Sequence, residues 1–304
     1  AALIVLQDGR VRLERYGLDF RPDGRWTSFS VAKSFTSTLV GMAIVDGYIE
    51  SLYVSVADYI PGLRGSAYED VTVAQLLTMS SGIAWNEDYG DPNSDVARFS
   101  QHVTADDMPA VVSYMRGLAR AHPAGEVWNY STGETNLIGI LVSAATGQKL
   151  TDYLSSRIWE RIGMQQSGTW ILGPDGHEIS GCCIQAAAMD FARFGQFMLE
   201  GGVVDGEALL PPGWIATATT KQIGVRPGRG YGFQWWTYDD GSFAARGIFG
   251  QGIFINPQRR LVIATNSNWD SAVGQDSGQN PRREEFYREV MSALDAEEAL
   301  HDGD

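Results

Sequence analysis

Cysteine, lysine and long apolar runs are scarce in this chain of 304 residues, and each shortage excludes a class of protein. Its two cysteines, Cys182 and Cys183, are neighbours, so a disulfide framework is excluded and a paired-cysteine metal site is unsupported. Because a bond between neighbouring cysteines is rare, we expect two buried small side chains there. No apolar run reaches the length of about eighteen residues that a membrane helix needs, so no membrane span is predicted.

Excess basic charge and the usual catalytic motifs are missing too. The formal net charge of −14 disfavours nucleic acid and anionic membrane surfaces as partners. No serine has a glycine two positions before it, which argues against hydrolases with the Gly-x-Ser-x-Gly motif. Neither a phosphate-binding glycine loop nor a dinucleotide fingerprint occurs. The histidines stand in no metal-ligand spacing, so neither a metal nor another cofactor is expected; they are His102, His122, His177 and His301.

The first residues leave the compartment open. Residues 1–6 lack a basic region and lead directly into a hairpin, which is not the pattern of a signal peptide. The sequence therefore fits a soluble cytoplasmic protein, or a periplasmic one whose leader has been removed.

Strand patterns lie at both ends of the chain, and helix patterns lie between them. Asp8-Gly9 suits a tight hairpin turn between strands at 3–6 and 11–16. Later strands are predicted at 231–237, 242–249, 252–255 and 261–266. Helices are predicted at 30–47, 73–78, 107–121, 135–146, 150–162, 186–199 and 282–294. This order predicts an α+β fold, in which 1–53 and 201–304 form one antiparallel sheet flanked by helices and 54–200 is an inserted, mostly helical region.

One pair in the first predicted helix has the spacing of an activated nucleophile. Ser30 and Lys33 are three positions apart, so a helix places both side chains on one face within hydrogen-bond reach. A serine hydroxyl needs an adjacent base, and a lysine whose pKa is lowered by burial can be that base. The start of a helix also offers unpaired N–H groups to developing negative charge. With the other motifs excluded, Ser30 remains the candidate nucleophile.

Segments around this pair resemble the serine β-lactamase and penicillin-recognising superfamily. They are residues 26–34 (Trp-Thr-Ser-Phe-Ser-Val-Ala-Lys-Ser) and 75–82 (Gln-Leu-Leu-Thr-Met-Ser-Ser-Gly). Within that superfamily, residues 85–89 (Trp-Asn-Glu-Asp-Tyr) and 249–251 (Phe-Gly-Gln) are similar to the 6-aminohexanoate-dimer (nylon-oligomer) hydrolases and the class C β-lactamase-like (family VIII) esterases. The resemblance runs from about residue 3 to the last helix, and it implies a β-lactamase/transpeptidase-like fold.

The same resemblance implies roles for further residues. Tyr130, which opens a Tyr-Ser-Thr motif, would transfer protons together with Ser30 and Lys33. Thr132 would be its polar neighbour, where the family has Asn or Ser. The N–H groups of Ser30 and Ile248 would form an oxyanion hole. Whether Lys33 or Tyr130 is the base stays open, because coupled groups titrate as a unit.

Thr132 and four more positions are implied to meet a substrate. Tyr89 lies on a loop-like stretch that suits a mobile lid. Trp236 is preferred to the tryptophan before it, because strand spacing turns only one of the two towards a cleft. Phe249 and Gln251 belong to the segment similar to the nylon-oligomer hydrolases. The Lys-Thr-Gly motif of β-lactamases is missing, and Arg246 nearby is expected to be an edge-strand charge rather than a replacement for that lysine.

The predicted function is that of a serine hydrolase working through an acyl-enzyme. Its expected substrates are small carboxylic esters, with short amides such as 6-aminohexanoate oligomers as a further class. Two alternatives stay open: weak β-lactamase activity, and a penicillin-recognising protein that binds ligand without turnover, because a fold does not determine a function. A homodimer is an open alternative to a monomer.

Overall fold

A computed structural model describes residues 1–104 and 107–301, so the end of the region predicted to reach residue 304 lies outside the described residues. The strands of the described chain are β1 (Ala2–Gln7), β2 (Arg10–Tyr16), β3 (Trp26–Thr27), β4 (Thr169–Trp170), β5 (Ile184–Ala186), β6 (Val203–Val204), β7 (Glu207–Ala208), β8 (Ile223–Arg226), β9 (Arg229–Tyr231), β10 (Trp236–Tyr238), β11 (Phe243–Arg246), β12 (Gly252–Asn256) and β13 (Leu261–Asn266). Its α-helices are α1 (Ala32–Val45), α2 (Val56–Tyr59), α3 (Val73–Leu77), α4 (Asp95–Phe99), α5 (Ala110–Met115), α6 (Thr132–Thr146), α7 (Leu150–Leu154), α8 (Ala188–Leu199), α9 (Trp214–Ala218) and α10 (Gln279–His301). Within these residues, none of the helices combines the length and apolar character needed to cross a membrane.

The main sheet joins the two ends of the chain. Its strands follow the order β2-β1-β13-β12-β11-β10-β9-β8, and each neighbouring pair is antiparallel. The register pairs Ile4 of β1 with Ala264 of β13. The prediction of one antiparallel sheet made from both ends of the chain is therefore confirmed.

Helices cover both faces of the sheet, and the alternation of side chains in β12 divides the interior into two cores. Ile253 and Ile255 belong to the main core, on the face where α8 packs. Phe254 points to the opposite face and stacks on Tyr287 of α10, with ring centroids 4.3 Å apart. All five residues of β12 are buried, as expected for a strand with helices on both sides.

Helix α1 lies in the centre of the molecule against α6. Its residues from Ala32 to Ala43 are all buried, so its small hydroxyl side chains need partners inside the protein. Ser34 donates to the Gln234 carbonyl at 2.8 Å, and Ser37 donates to the Phe233 carbonyl at 2.7 Å. These hydrogen bonds fix the helix that follows Ser30 to the turn between β9 and β10.

That turn corrects one prediction. The continuous strand expected at 231–237 is a hairpin, in which β9 ends at Tyr231 and β10 begins at Trp236. Gln234 has a φ of 62°, and its side chain donates to the carbonyls of Leu76 and Leu77. A Cβ at Gly232 would overlap the Ala218 carbonyl, so the chain turns closely against α9. The outer strand β8 was also not predicted.

Other boundaries differ for local reasons. The helix predicted at 107–121 is reduced to α5, because Gly117 follows it and Arg120 pairs with Ile83 in a β-bridge. The helix predicted at 150–162 is α7 followed by a π-helical turn, Ser155–Trp159. The strand predicted at 242–249 ends with β11, and a 3₁₀ turn, Ile248–Gly250, follows it.

The two cysteines also differ from expectation. Cys182 and Cys183 form a disulfide between neighbours and are half-buried, so the expected pair of buried free side chains is wrong. Cys183 has a φ of 74°, which turns the chain sharply at the bond. Its N–H donates to the Phe29 carbonyl at 3.3 Å, so this turn packs against the segment that carries Ser30.

Candidate active site

Ser30 lies in a 3₁₀ turn, Phe29–Val31, that runs directly into α1. The sequence pattern predicted an α-helix at this position. In the tighter 3₁₀ turn, residues three apart also lie on one side, so Ser30 and Lys33 still face each other. The Nζ atom of Lys33 is 3.3 Å from the Ser30 Oγ atom. The structure thus brings the predicted pair into hydrogen-bond contact.

Lys33 is almost completely buried, with 1% of its surface exposed. Besides Ser30, its Nζ atom contacts the Thr132 hydroxyl at 3.0 Å and the Gly181 carbonyl at 2.5 Å. Burial lowers the pKa of Lys33 from 10.5 to about 8, and the negative charge of Glu87 partly opposes that change. A substantial fraction of the amine is therefore neutral at mildly alkaline pH.

Tyr130 stands just before α6 and faces the same two groups. Its ring centroid is 5.3 Å from the Lys33 Nζ atom, and its hydroxyl interacts with Ser30. Burial raises the pKa of Tyr130 far above its ordinary value of 10.0, and the charge of Glu87 adds to the increase. Tyr130 is therefore held as a neutral phenol, which can give a proton but is a poor base at neutral pH.

A cavity of about 360 Å³ opens above Ser30. The predicted residues Tyr89, Tyr130, Trp236 and Ile248 line it. The rings of Tyr130 and Trp236 are stacked, with centroids 5.8 Å apart. The remaining lining residues are Glu87, Trp128, Val225, Arg226, Arg246, Gly247, Trp269, Ala272, Val273, Asn280 and Arg283. Apart from its charged groups, the cavity has a largely aromatic and apolar wall.

The segment after β11 packs closely on the Ser30 turn. A Cβ at Gly247 would lie 2.6 Å from the Ser28 carbonyl oxygen, so only glycine permits this approach. Ile248 opens its 3₁₀ turn, and Ser30 is in the first turn of its own. N–H groups at such positions lack helical partners. Two residues whose N–H groups lack helical partners, Ser30 and Ile248, therefore line one cavity.

Phe249 and Gln251 support this turn from behind the cavity. The Phe249 ring packs on Phe29, with centroids 5.3 Å apart. Gln251 is 1% exposed, and its amide donates to the carbonyls of Ile248, Phe249 and Ser267. Neither side chain is part of the cavity wall among the described residues. Gln251 has a structural role in this position, because a buried amide must satisfy its hydrogen bonds locally. Contact of either side chain with substrate stays a prediction.

Glu87 is the main group that the sequence reasoning did not single out. Its carboxylate accepts hydrogen bonds from the backbone N–H and the hydroxyl of Thr132. It also accepts from the indole of Trp85 and from the Tyr89 hydroxyl. The sequence did contain one indication of Glu87: it lies two residues before Tyr89, inside the segment similar to the nylon-oligomer hydrolases.

Basic side chains form the far wall of the cavity. Arg246 was expected to be an edge charge, but β11 lies between β10 and β12, and Arg246 pairs with Glu284 at 2.8 Å. Arg246 also donates to Asn280 at 2.6 Å. Arg283 lies over the Trp269 ring at 4.7 Å, and its buried Nε and Nη1 atoms have no hydrogen-bond partner among the described residues. Together with Arg226, these side chains give the wall several positive charges.

No set of three or more His, Cys, Asp or Glu side chains in residues 1–104 and 107–301 is grouped so that it could hold a metal ion.

Known proteins were compared with the chain. The family model described as Beta-lactamase matches residues 1–287. A 6-aminohexanoate-dimer hydrolase of Paenarthrobacter ureafaciens is 30% identical over 285 residues, covering 88% of this chain and 72% of the relative. A Bacillus anthracis structure proposed to be a 6-aminohexanoate-dimer hydrolase has a TM-score of 0.82 at 24% identity, covering 96% of this chain and 79% of the other. EstCE1, described as a hydrolase with promiscuous acyltransferase activity, has a TM-score of 0.73 at 14% identity, covering 92% of this chain and 91% of the other. At these identities the two structures establish the fold alone.

Proposed function

The chain belongs to the beta-lactamase family, and from this premise we propose that it hydrolyses carboxylic esters and short amides through an acyl-enzyme on Ser30. The family and its β-lactamase/transpeptidase-like fold are those that the motifs predicted. The observation that carries the proposal is the partly buried contact of 3.3 Å between Lys33 Nζ and Ser30 Oγ at an aromatic cavity.

In the proposed first step, the neutral amine of Lys33 takes the Ser30 hydroxyl proton while Oγ attacks the substrate carbonyl carbon. Lys33 is preferred to Tyr130 as the base because burial lowers the pKa of the amine to about 8 and raises the pKa of the phenol. The N–H groups of Ser30 and Ile248 would hold the oxyanion that forms.

The intermediate then collapses and expels the alcohol or amine. Tyr130 would donate its proton to that leaving group and recover one from the Lys33 ammonium; its interaction with Ser30 and the 5.3 Å between its ring and the Lys33 Nζ atom support this role. The acyl group remains on Ser30 as an ester. Water, deprotonated by the neutral amine of Lys33, attacks the ester carbonyl, and the Lys33 ammonium returns the proton to Ser30 Oγ as the acid leaves. All protons return to their starting groups, so the cycle consumes only substrate and water.

Two observations support esters and short amides as substrates. The Paenarthrobacter relative is named for the hydrolysis of the 6-aminohexanoate dimer, a linear amide. The wall near Ser30 is built from Trp128, Tyr130 and Trp236, whose flat rings suit an extended alkyl chain. The missing Lys-Thr-Gly motif points away from a dedicated β-lactamase.

A second candidate, hydrolysis of β-lactams, is favoured by the arginines of the far wall. Arg283 has buried, unpartnered donors, and Arg226 and Arg246 line the same cavity. Such a wall suits a carboxylate, which β-lactams carry, but the free 6-aminohexanoate dimer carries one as well. A protein that binds ligand without turnover is the third hypothesis, and the presence of Ser30, Lys33 and Tyr130 together argues against it.

One set of measurements separates these readings. The protein is treated with a fluorophosphonate and digested, and the labelled peptide is located by mass spectrometry. Turnover of a p-nitrophenyl ester, of the 6-aminohexanoate dimer and of nitrocefin is measured beside it. We expect label on Ser30, ester turnover, and none by Ser30→Ala. Label elsewhere, or an active Ser30→Ala, contradicts the mechanism, and nitrocefin as the best substrate selects the second candidate.

A further inference from the structure

Glu87 is held as a fixed acceptor. Its Oε1 atom accepts from the hydroxyls of Thr132 and Tyr89, the latter at 2.8 Å. Its Oε2 atom accepts from the Thr132 backbone N–H at 2.9 Å and from the indole N–H of Trp85. Every one of these bonds is donated to the carboxylate, so Glu87 offers no proton to this network. The Thr132 hydroxyl proton is therefore committed to Glu87.

This commitment determines how Lys33 can bond. Because the proton of the Thr132 hydroxyl points to Glu87, its oxygen can only accept from the Lys33 Nζ atom, 3.0 Å away. The Gly181 carbonyl, at 2.5 Å, is also only an acceptor. A neutral amine has two N–H bonds and one lone pair, and these two acceptors use both N–H bonds. The lone pair is left for the third neighbour, the Ser30 hydroxyl at 3.3 Å.

We propose that Glu87 is a positioning residue of the reaction: by holding the Thr132 hydroxyl proton, it directs the Lys33 lone pair at Ser30. The proposal rests on the proposed function, because it requires Ser30 to be the nucleophile. In the step that it assists, the O–H bond of Ser30 breaks, an N–H bond forms on Lys33, and Glu87 exchanges no proton. Its place is comparable to that of the carboxylate that orients the base in other serine hydrolases.

The charge of Glu87 acts in the same direction once the proton has moved. Two titratable groups face Lys33: Tyr130, whose ring is 5.3 Å away, and Glu87 beyond Thr132. A negative charge on that side stabilises the ammonium that forms, and it accordingly raises the pKa of Lys33 against the effect of burial. The carboxylate thus both aims the amine and stabilises the product of proton transfer.

Substitution by glutamine tests the direction of these hydrogen bonds. In Glu87→Gln, the amide oxygen must take the Oε2 position, because the Thr132 N–H and the Trp85 indole there can only donate. The amide NH₂ group then faces the Thr132 hydroxyl and donates to it. The Thr132 proton is released to turn towards Lys33 and to occupy its lone pair. Glutamine has nearly the same volume as glutamate, but it therefore reverses the direction of the hydrogen bonds that run from residue 87 through the Thr132 hydroxyl to Lys33.

The experiment measures kcat/KM for a p-nitrophenyl ester against pH in the full chain. The variants are Glu87→Gln, Thr132→Val and the double substitution, with Asp88→Asn as the matched control. Asp88 is an exposed carboxylate on the same loop, and its side chain accepts a hydrogen bond from the Gly90 N–H. The amide oxygen of an asparagine can accept the same hydrogen bond. We expect the alkaline plateau of Glu87→Gln to fall at least about tenfold and its acid limb to move to lower pH. We expect Asp88→Asn to stay within about twofold.

The double substitution tests whether Glu87 acts through Thr132. If it does, adding Glu87→Gln to Thr132→Val costs clearly less than Glu87→Gln costs alone, because the hydroxyl that it would reverse is absent and only the loss of the Glu87 charge remains. The inference is overturned if the losses of the two single variants multiply in the double variant. It is also overturned if the alkaline plateau of Glu87→Gln lies less than about tenfold below that of the wild type. If Glu87→Gln does not fold by near-ultraviolet circular dichroism, Thr132→Val decides by the same tenfold criterion. Failure of fluorophosphonate to label Ser30 in the wild type instead refutes the proposed function.

Discussion

Two carboxyl groups lie at the first turn of α6, and their surroundings differ. Glu87 accepts four hydrogen bonds and borders the cavity above Ser30. Glu134, in the helix itself, is 2% exposed and accepts from Ser81 and Tyr68 through one oxygen only. Its other oxygen has no partner among the described residues. Burial raises the pKa of Glu134 to about 8, so it is largely a neutral acid at neutral pH.

The difference shows what each group can do. A carboxylate with all its acceptor sites used is a stable negative charge that can orient neighbours. A carboxyl group that the protein does not compensate avoids its charge, and it serves as a hydrogen-bonding element of the interior. The first turn of α6 therefore has a chemical side at Thr132 and a structural side at Glu134. The predictions below separate these two sides.

The largest effect is expected on the chemical side, at Lys33. Replacing Lys33 by Ala removes the proposed base, and we expect acylation of Ser30 to slow at least about 100-fold. The rate of fluorophosphonate labelling measures this step directly. Lys149→Ala, which removes an exposed lysine at the start of α7, is the control. A near-normal labelling rate in Lys33→Ala would show that the amine is dispensable.

The pH dependence of the labelling rate in the wild type is a second test of Lys33 as the base. Only the neutral amine can accept the Ser30 proton, and the pKa of Lys33 is lowered to about 8. The labelling rate should therefore rise about tenfold per pH unit well below pH 8 and level off above it. Because the pKa of Tyr130 is raised, its ionisation should not shorten that plateau near pH 9. A rate that is flat from pH 6 to 9 contradicts Lys33 as the base.

A smaller effect is expected at Gly247, which brings the Ile248 N–H to the Ser30 turn. The Cβ of Gly247→Ala would press on the Ser28 carbonyl, and we expect kcat for the ester to fall about 10- to 100-fold with a smaller change in KM. Gly224→Ala in β8 is the control, because its Cβ would make only ordinary contact with Lys221. Equal kcat values for the two variants argue against an oxyanion site there.

The local parts of the site could be predicted from the sequence. Ser30 and Lys33 are three residues apart, so their contact needs only a helical turn. The central sheet was also predictable, because β1, β12 and β13 are short, nearly continuous apolar runs, as expected for strands with helices on both faces. Tyr130 needed the resemblance to the family, since its own neighbours in sequence carry no signal of proton transfer.

The remaining parts depend on contacts between distant residues. Glu87 and Thr132 are 45 positions apart, and only the fold makes them partners. Arg246 was misplaced because the pairing of β11 with β10 and β12 is a contact between separate strands, which the residues of β11 do not themselves indicate. Gln251 shows a further limit: the same amide can bind a substrate or its own turn, and the sequence is identical in both cases.

The smallest effect on activity is expected on the structural side, at Glu134. Its pKa is raised from 4.5 to about 8, so the stability that the neutral acid contributes is complete below about pH 4.5 and is lost as the pH rises through about 8. An amide does not titrate, so Glu134→Gln should gain thermal stability over the wild type as the pH rises from 5 to 9. At pH 9 we expect the Tm of Glu134→Gln to exceed that of the wild type by at least about 2 °C. Its esterase activity should stay within about twofold of the wild-type value. The control is Glu126→Gln, an exposed carboxyl group before α6. A Tm difference independent of pH would mean that Glu134 is already charged, and a tenfold loss of activity would remove the division between the two sides of the helix.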